Sequence, residues 1–329
     1  MTQQEFECIW KNSDDYVVCH TSGSTGTPKE ILLSKEFMRE SARRTNEFFS
    51  IGEDSRLHTC LDFNYIASKM MTVRADLAEC RLTSEKPTSR PLGNVSKDEK
   101  IDLLSVVPAQ MDWILDAPER WKGIRHILIG GSAIPFMMRR RIVLSGYDAW
   151  ETYGMTETAS HIALRKVTDD DRPFLCLKGI EVKVNEDGCL VAIMPDGAEL
   201  VTNDLAEITG AGEFRILGRA DNCIISGGIK IIPEELEGRL GHFIAFNYCL
   251  SSVEDSKWGD KLVMVVERPD FEIEDDFLKM AVGVRLRQYR KILDLGVKSP
   301  KDVVIVDQLP RTANGKIDRR SLRNMLWNK

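Results

Sequence analysis

A run of hydroxyl and glycine residues that ends in a lysine is the first stretch of the chain with evident chemistry. It consists of Thr21, Ser22, Gly23, Ser24, Thr25, Gly26, Thr27, Pro28 and Lys29. Glycines let backbone N–H groups approach oxygen closely, hydroxyls add donors, and lysine adds a mobile charge. The run therefore predicts a loop that holds a polyphosphate, with a flexible loop as the alternative. It is not a P-loop, because two residues separate Gly26 from Lys29 and no Ser or Thr follows the lysine.

Three later stretches also combine glycine, hydroxyl and charged residues. They are Tyr153–Thr158, Gly218–Lys230 and Leu309–Arg319. The first contains one carboxylate, Glu157, and the last contains a lysine after a glycine, Lys316. We find no GxSxG elbow and no arguable Ser-His-Asp arrangement. The residues therefore favour catalysis by positioning and charge neutralisation, without a protein nucleophile.

In this order and at these separations, the four stretches resemble the signature motifs of the adenylate-forming superfamily. That superfamily includes acyl-CoA synthetases, aryl-CoA ligases, luciferases and the adenylation domains of peptide synthetases. The resemblance runs from about Tyr16 to about Leu322. It implies an α/β fold with a large AMP-binding domain and a small, mobile α+β C-terminal domain. It also implies ATP, Mg²⁺ and coenzyme A as cofactors, and a carboxylic acid that is first adenylated and then transferred to the thiol.

The resemblance further implies roles for single residues. Thr156 and Glu157 would belong to the catalytic motif, with Glu157 as the Mg²⁺ ligand. Lys316 would bridge the attacking carboxylate and the α-phosphate once the small domain has swung about Asp221. The residues implied to bind ATP or coenzyme A are Thr21, Ser22, Gly23, Ser24, Thr25, Gly26 and Lys29 at the phosphates, Gly131, Ser132, Ala133, Tyr153 and Gly154 at the adenine, Asp204 and Arg219 at the ribose, and Gly227 and Gly228 along the pantetheine arm.

Two of these assignments have an open alternative: Glu157 as a helix-cap or solvent carboxylate, and Tyr153 as a core tyrosine. Asp204 follows Asn203, where the family usually has glycine, so the ribose motif matches less well.

The motifs are most similar to those of compact bacterial o-succinylbenzoate–CoA ligases of menaquinone biosynthesis. Such an acid carries a second carboxylate, which needs a cation or several donors inside a pocket. On the predicted helix 64–78, Tyr65 and Lys69 have i, i+4 spacing and are expected to share a face. Ser160 and His161 follow the Glu157 motif and complete the predicted substrate site. A solvated helix lysine and a structural histidine are the alternative interpretations of Lys69 and His161.

The length of 329 residues predicts two domains, which we place at 1–218 and 219–329. The first part alternates strands and helices, as α/β layers do: residues 16–19 read as a buried strand, 35–49 as a helix with Ser34 as its N-cap, and 135–144 as a helix with Pro135 in its first turn. The second part reads as a compact α+β unit, with a helix at 275–292 and a strand at 302–306. Members of the superfamily carry a further subdomain before the phosphate loop, so the large domain is expected to be truncated. A homodimer covering the surface left open is an accompanying hypothesis.

The composition sets broad limits on function. The formal net charge of −6 gives no reason to expect nucleic-acid binding, and no apolar run approaches the length of a membrane helix. Eight cysteines without a CxxC pair argue against a zinc site, and the polar start predicts a cytoplasmic protein. The alternatives left open are another aryl- or acyl-CoA ligase and a non-catalytic nucleotide-binding module.

Overall fold

The computed structural model describes residues 1–20, 29–312 and 316–327. By residue contacts the chain forms two compact units. Unit 1 comprises Met1–Lys183, Ala192–Leu200 and Ile208–Arg215, and unit 2 comprises Val184–Val191, Val201–Glu207 and Ile216–Lys329. The predicted domain boundary after residue 218 stays a prediction. Among the described residues, no helix has the length and apolar character needed to cross a bilayer.

Unit 1 is built on strands and helices that alternate as predicted. Its helices are α1 (Gln3–Lys11), α2 (Lys35–Phe49), α3 (Ile66–Leu77), α4 (Pro108–Leu115) and α5 (Phe136–Ser145). Its strands are β1 (Tyr16–His20), β2 (Glu30–Ser34), β3 (Arg56–Thr59), β4 (Arg81–Ser84), β5 (Ile101–Val106), β6 (Ile124–Ile129), β7 (Ala149–Gly154), β8 (His161–Lys166) and β9 (Phe174–Cys176). In the main sheet β4, β3, β5, β6 and β7 are adjacent and parallel, and β8 and β9 continue it antiparallel.

Four strands are divided between the two units. They are β10 (Glu181–Val184), β11 (Cys189–Ile193), β12 (Glu199–Gly210) and β13 (Glu213–Arg219). Each has residues in both units.

Unit 2 is the predicted α+β arrangement. Its strands are β14 (Ile224–Ser226), β15 (Ile229–Ile231), β16 (Tyr248–Asp255), β17 (Gly259–Glu267) and β18 (Asp302–Val306), and its helices are α6 (Pro233–Leu240), α7 (Asp275–Ile292) and α8 (Arg319–Trp327). β17 pairs antiparallel with β16 and parallel with β18. Helix α8 is anchored by Arg319, whose Nη1 donates to Glu237 Oε1 at 3.0 Å and to the Leu250 carbonyl at 3.1 Å.

Two local predictions need correction. Tyr16–Cys19 was expected to be a buried strand, but only Val17 and Cys19 are buried, while Tyr16 and Val18 are 56% and 47% exposed. The reason is that β1 pairs only with β2 in a two-stranded sheet, so one face packs inward and the other stays open. Pro135 was expected in the first turn of a helix; it is the N-cap, and α5 begins at Phe136.

Helix α2 follows its predicted bounds, with Ser34 as its N-cap. The Ser34 hydroxyl oxygen accepts from the Phe37 backbone N–H at 3.1 Å, which satisfies one donor that the first helical turn leaves free.

Helix α3 is buried on nearly every side. Met70 and Val73, on the predicted core face, pack with α1 and the β1–β2 hairpin. Met71 and Ala75 pack on the opposite side against residues of the main sheet. All residues from Ser68 to Ala75 are buried. The polar residues of this stretch, Lys69 and Arg74 among them, therefore lie inside the protein.

The turn between β7 and β8 depends on close backbone approach at Gly154. The register of the two strands shifts between Tyr153 and Gly154, and Gly154 pairs with His161. A Cβ at position 154 would lie 2.3 Å from the Ser160 carbonyl oxygen and 2.5 Å from the His161 Cα. Only glycine fits this approach without moving the backbone.

We therefore expect Gly154→Ala to lower the free energy of unfolding by about 1–3 kcal/mol, the usual cost of overpacking. Urea or thermal unfolding measures the change. Gly52→Ala is the matched control, because nothing lies within 4 Å of a Cβ there. Equal stability of the two variants would contradict the close approach.

Candidate functional site

Part of the predicted nucleotide site falls outside the described residues. This applies to Thr21, Ser22, Gly23, Ser24, Thr25, Gly26, Thr27 and Pro28, and to the two residues before Lys316, Asn314 and Gly315. Lys29 is described and exposed. The phosphate-binding role of this loop therefore stays a prediction.

Two of the predicted motifs emerge at the same edge of the main sheet. Gly131, Ser132 and Ala133 follow the end of β6, and the Tyr153–Thr158 motif covers the end of β7. These strands are parallel neighbours, so their carboxyl ends meet at one edge, where ligands of open α/β sheets usually bind. Gly131 has a left-handed φ of +89°. The loop it opens is exposed.

The motif after β7 forms a tightly bonded turn. The Thr158 hydroxyl accepts from the Met155 N–H at 2.9 Å and donates to the Ser160 carbonyl at 2.6 Å. Thr156 to Thr158 make one 3₁₀ turn, which ends at Ala159 with a left-handed φ of +59°. Glu157 projects from this turn and is half-buried. The turn thus holds one carboxylate in a defined place beside the sheet edge.

A single carboxylate suits Mg²⁺, which prefers oxygen ligands and usually shares them with substrate phosphates. Among the described residues, no group of three or more His, Cys, Asp and Glu side chains could hold a metal unaided. The donor set at Glu157 therefore fits a magnesium ion that arrives with ATP, and its role as a ligand stays a prediction.

The Tyr153 ring belongs to an aromatic group. Its centroid lies 5.3 Å from that of Phe214 and 5.8 Å from that of Phe174, and the two phenylalanines stack at 5.6 Å. These contacts agree with the core-tyrosine alternative. Contact with adenine stays a prediction.

Four predicted site residues converge within unit 2. Arg219 Nη1 donates to Asp204 Oδ1 at 3.3 Å, and Nε and Nη2 each donate to a carboxylate oxygen of Asp221 at 3.0 Å. The hydrogen bond from Arg219 lowers the pKa of Asp221. Desolvation and the charge of Arg219 lower the pKa of Lys316, while Asp204 opposes that shift. The predicted catalytic lysine, ribose-binding pair and hinge residue thus form one electrostatic cluster.

Gly227 and Gly228 form the two-residue turn between β14 and β15. Their φ angles are +56° and +78°, as a type I′ turn requires. A Cβ on Gly227 would lie 2.8 Å from the Trp258 ring. The turn geometry by itself therefore favours glycine at both positions. Contact of these glycines with coenzyme A stays a prediction.

Tyr65 and Lys69 do not share a face as expected from their spacing. Tyr65 is the N-cap of α3, outside the helix, and is 41% exposed, whereas Lys69 is only 2% exposed. The Lys69 ammonium donates to the Val18 carbonyl of β1 at 3.3 Å. Lys69 is therefore not the solvated lysine of the alternative interpretation, and its ammonium is directed towards the hairpin.

Ser160 and His161 meet an arginine that the sequence analysis missed. Arg74 of α3 is 1% exposed, and its Nη2 donates to Ser160 Oγ at 2.6 Å. Ser160 Oγ lies 3.2 Å from His161 Nδ1, and Thr45 Oγ1 of α2 lies 3.0 Å from His161 Nε2. A signal was present: Arg74 lies four residues after Met70, beside the apolar face that Ile66, Met70, Val73 and Leu77 form at helical spacing, where an arginine is unusual.

The electrostatics of this cluster are those of a cation without a counter-ion. No carboxylate pairs with Arg74 in the part of the chain that the structure describes, and burial lowers the pKa of Arg74 to about 9. Within the described residues, its Nη1 reaches only the Met71 sulfur at 3.5 Å, and its Nε has no hydrogen-bond partner. Burial and the charges of Arg74 and Arg44 lower the pKa of His161 well below its usual value.

Comparison with known proteins places this chain in a family. Residues 3–199 match the model of the AMP-binding enzyme family. The chain is 27% identical to an indoleacetate–CoA ligase of Aromatoleum aromaticum, over 95% of this chain and 68% of that protein. It is 26% identical to a 2-succinylbenzoate–CoA ligase of a Geobacillus species, over 98% of this chain and 72% of that protein.

Solved structures agree with the expected fold. An acyl-CoA synthetase (AMP-forming)/AMP-acid ligase II-like protein from Dyadobacter fermentans is 30% identical, with a TM-score of 0.61 over 98% of this chain and 93% of that one. The o-succinylbenzoate CoA synthetase of Bacillus subtilis, in complex with its acyl-adenylate intermediate, is 23% identical, with a TM-score of 0.77 over 93% and 68%. The likeness confirms the adenylate-forming fold, and the family match covers more than half of the chain: the chain belongs to the AMP-binding enzyme family.

Proposed function

We propose that this protein is an ATP-dependent acid–CoA ligase that converts o-succinylbenzoate to o-succinylbenzoyl-CoA. Family membership and the CoA ligases among its relatives support the reaction class. The choice of a dicarboxylic acid rests on one observation, the buried Arg74, which has no carboxylate partner among residues 1–20, 29–312 and 316–327.

A guanidinium has five N–H donors, and in the part of the chain that the structure describes Arg74 has one strong acceptor, Ser160 Oγ. Burying such a charge without a counter-ion costs several kcal/mol. A site that keeps it is a candidate for binding an anionic ligand. The carboxylate that is not activated would supply the missing anion and form charge-assisted hydrogen bonds.

In the first step, an oxygen of the substrate carboxylate attacks the α-phosphorus of ATP, and the bond from that phosphorus to the β-phosphate oxygen breaks. Lys316 would neutralise the charge that develops between the two reactants. Asp204 and Arg219 would hold the ribose, and Glu157 would hold Mg²⁺, which supplies charge neutralisation at the phosphates when bound. In the second step, the sulfur of coenzyme A attacks the acyl carbon and AMP leaves.

A rotation about Asp221 between the two steps is part of the proposal. Lids and hinged domains commonly separate the steps of such reactions. A homodimer remains a separate hypothesis.

Indoleacetate is the second candidate substrate, because the Aromatoleum aromaticum relative carries that name. It has a single carboxylate and would leave Arg74 without an anion. Pyrophosphate release with o-succinylbenzoate, indoleacetate and benzoate tests the choice. We expect the highest kcat/KM with o-succinylbenzoate, whereas preference for a monocarboxylic acid would overturn it. No release with any acid would favour a non-catalytic nucleotide-binding module.

We expect Arg74→Met to raise KM for o-succinylbenzoate about ten- to hundredfold, because a hydrogen bond to a charged group contributes about 1.5–3 kcal/mol. KM for ATP should change little. Thermal stability should be unchanged or higher, since the variant removes an uncompensated buried charge. Lys69→Met is the matched control on the same helix. A larger and dicarboxylate-specific loss in Lys69→Met would return the anchoring role to Lys69.

We expect Lys316→Ala to abolish adenylate formation and to spare thioester formation from a supplied acyl-adenylate. Pyrophosphate release and CoA consumption measure the two steps separately. Because the pKa of Lys316 is lowered, the ammonium loses its proton at a lower pH than an ordinary lysine. Adenylation by the unaltered protein should therefore decline with rising pH earlier than an ordinary lysine would allow. Equal loss of both steps in Lys316→Ala would argue against a step-specific role.

We expect Glu157→Gln to weaken productive binding of Mg·ATP, since the amide keeps the shape and loses the charge that a hard cation needs. A magnesium titration of pyrophosphate release should shift to higher metal concentration. Asp204→Asn serves as the comparison, because that residue is assigned to the ribose. If the Glu157→Gln titration coincides with that of the unaltered protein, Glu157 is not the metal ligand.

A further inference from the structure

The hydrogen bonds next to Arg74 form a chain with a fixed direction. At one end, the guanidinium of Arg74 can only donate, so Ser160 Oγ accepts its bond at 2.6 Å. At the other end, the Ser41 backbone carbonyl can only accept, so the Thr45 hydroxyl donates to it at 3.3 Å. His161 lies between the two hydroxyls, with Nδ1 at 3.2 Å from Ser160 Oγ and Nε2 at 3.0 Å from Thr45 Oγ1.

These two ends favour one protonation state of the ring between them. A Thr45 hydroxyl that donates to Ser41 accepts from His161 Nε2. With that direction the ring carries its proton on Nε2, and Nδ1 is an acceptor for the hydroxyl proton of Ser160. Arg74 and Arg44 both disfavour a second proton on the ring. The directed chain is Arg74 to Ser160 to His161 to Thr45 to Ser41.

We infer that Thr45 and His161 are positioning residues that hold Ser160 as an acceptor for Arg74 and so orient the guanidinium towards a substrate carboxylate. The inference rests on the proposed function. It assigns substrate preference in part to α2, which contributes no residue to the family motifs of the sequence. The orientation of Arg74 would then depend on the Nε2–H tautomer of one buried histidine, His161.

The chain orients Arg74 because it limits what Ser160 can do. With its proton committed to His161, the Ser160 hydroxyl has lone pairs only for Arg74 Nη2. If His161 carried its proton on Nδ1, Ser160 would receive donors from both neighbours, and no described residue would accept its own proton. That arrangement would loosen the contact to Arg74, whose Nε also has no partner among those residues.

The test is Thr45→Val, which removes the acceptor for Nε2–H and keeps the branched shape, with Thr45→Ser as the matched control that keeps the hydroxyl. We expect Thr45→Val to raise KM for o-succinylbenzoate about tenfold, as loss of one buried hydrogen bond would. kcat, KM for ATP and KM for benzoate should stay within twofold. Thr45→Ser should behave like the unaltered protein. Thermal unfolding of both variants verifies that they fold.

The tautomer is measured separately, by ¹⁵N NMR of the histidine rings. The chain has five histidines, and the spectrum of His161→Gln identifies the signal of His161. We expect the Nε2–H tautomer in the unaltered protein, unchanged across the neutral pH range, and in Thr45→Val a mixture or the Nδ1–H form. An Nδ1–H ring in the unaltered protein would overturn the chain, whatever the substrate is.

The kinetic outcomes separate the two proposals. If the unaltered protein prefers o-succinylbenzoate and Thr45→Val impairs mono- and dicarboxylic acids equally, the positioning role fails and the proposed function stands. If the unaltered protein shows no preference for a second carboxylate, the proposed substrate fails and the positioning role fails with it.

Discussion

The enclosure of helix α3 is the constraint on which the rest of unit 1 depends. The helix is covered on one side by α1 and the β1–β2 hairpin and on the other by the main sheet. A helix buried all round is expected to be apolar throughout, yet α3 carries Lys69 and Arg74. Neither cation can reach water, so each must find acceptors inside the protein. Lys69 finds the Val18 carbonyl, and Arg74 finds Ser160.

The two cations therefore differ in how many of their N–H donors lack an acceptor. The Lys69 ammonium also lies 3.9 Å from the Cys19 sulfur and 5.9 Å from the centre of the Phe6 ring, so it interacts with the hairpin and α1. The guanidinium of Arg74 has five N–H donors but few acceptors among the described residues. This difference comes from where each side chain leaves the helix. It is the physical reason for assigning the second carboxylate to Arg74 and for treating Lys69 as an internal support of the hairpin.

Several motif residues have a structural reason to be present besides any contact with a ligand. Gly154 admits the backbone of Ser160, Gly227 lies against Trp258, and Thr158 closes the turn that carries Glu157. Such geometry is a precondition for function, because a carboxylate or lysine acts only when its backbone is held in place. In unit 2, the same holds for Arg219, which joins Asp204 and Asp221 next to Lys316.

The sequence by itself determined the family, the α/β and α+β character of the two parts, and the position of most elements. Helix α2 with its Ser34 cap, helix α7 and strand β18 have the predicted bounds, because capping residues and apolar periodicity act locally. The motif around Glu157 was likewise recognisable from its residues alone.

Only the tertiary structure decided which faces are buried and which charges meet. Periodicity could not show that β1 has an open face or that α3 has none, since burial depends on partners distant in the sequence. It could not separate Lys69 from Arg74, because both are cations on one helix and only their surroundings differ. Nor could it join Thr45 to His161 across 116 residues of chain. That contact exists because α2 and α3 share a hydrophobic cluster with Ile162 and Leu164 of the strand that begins at His161.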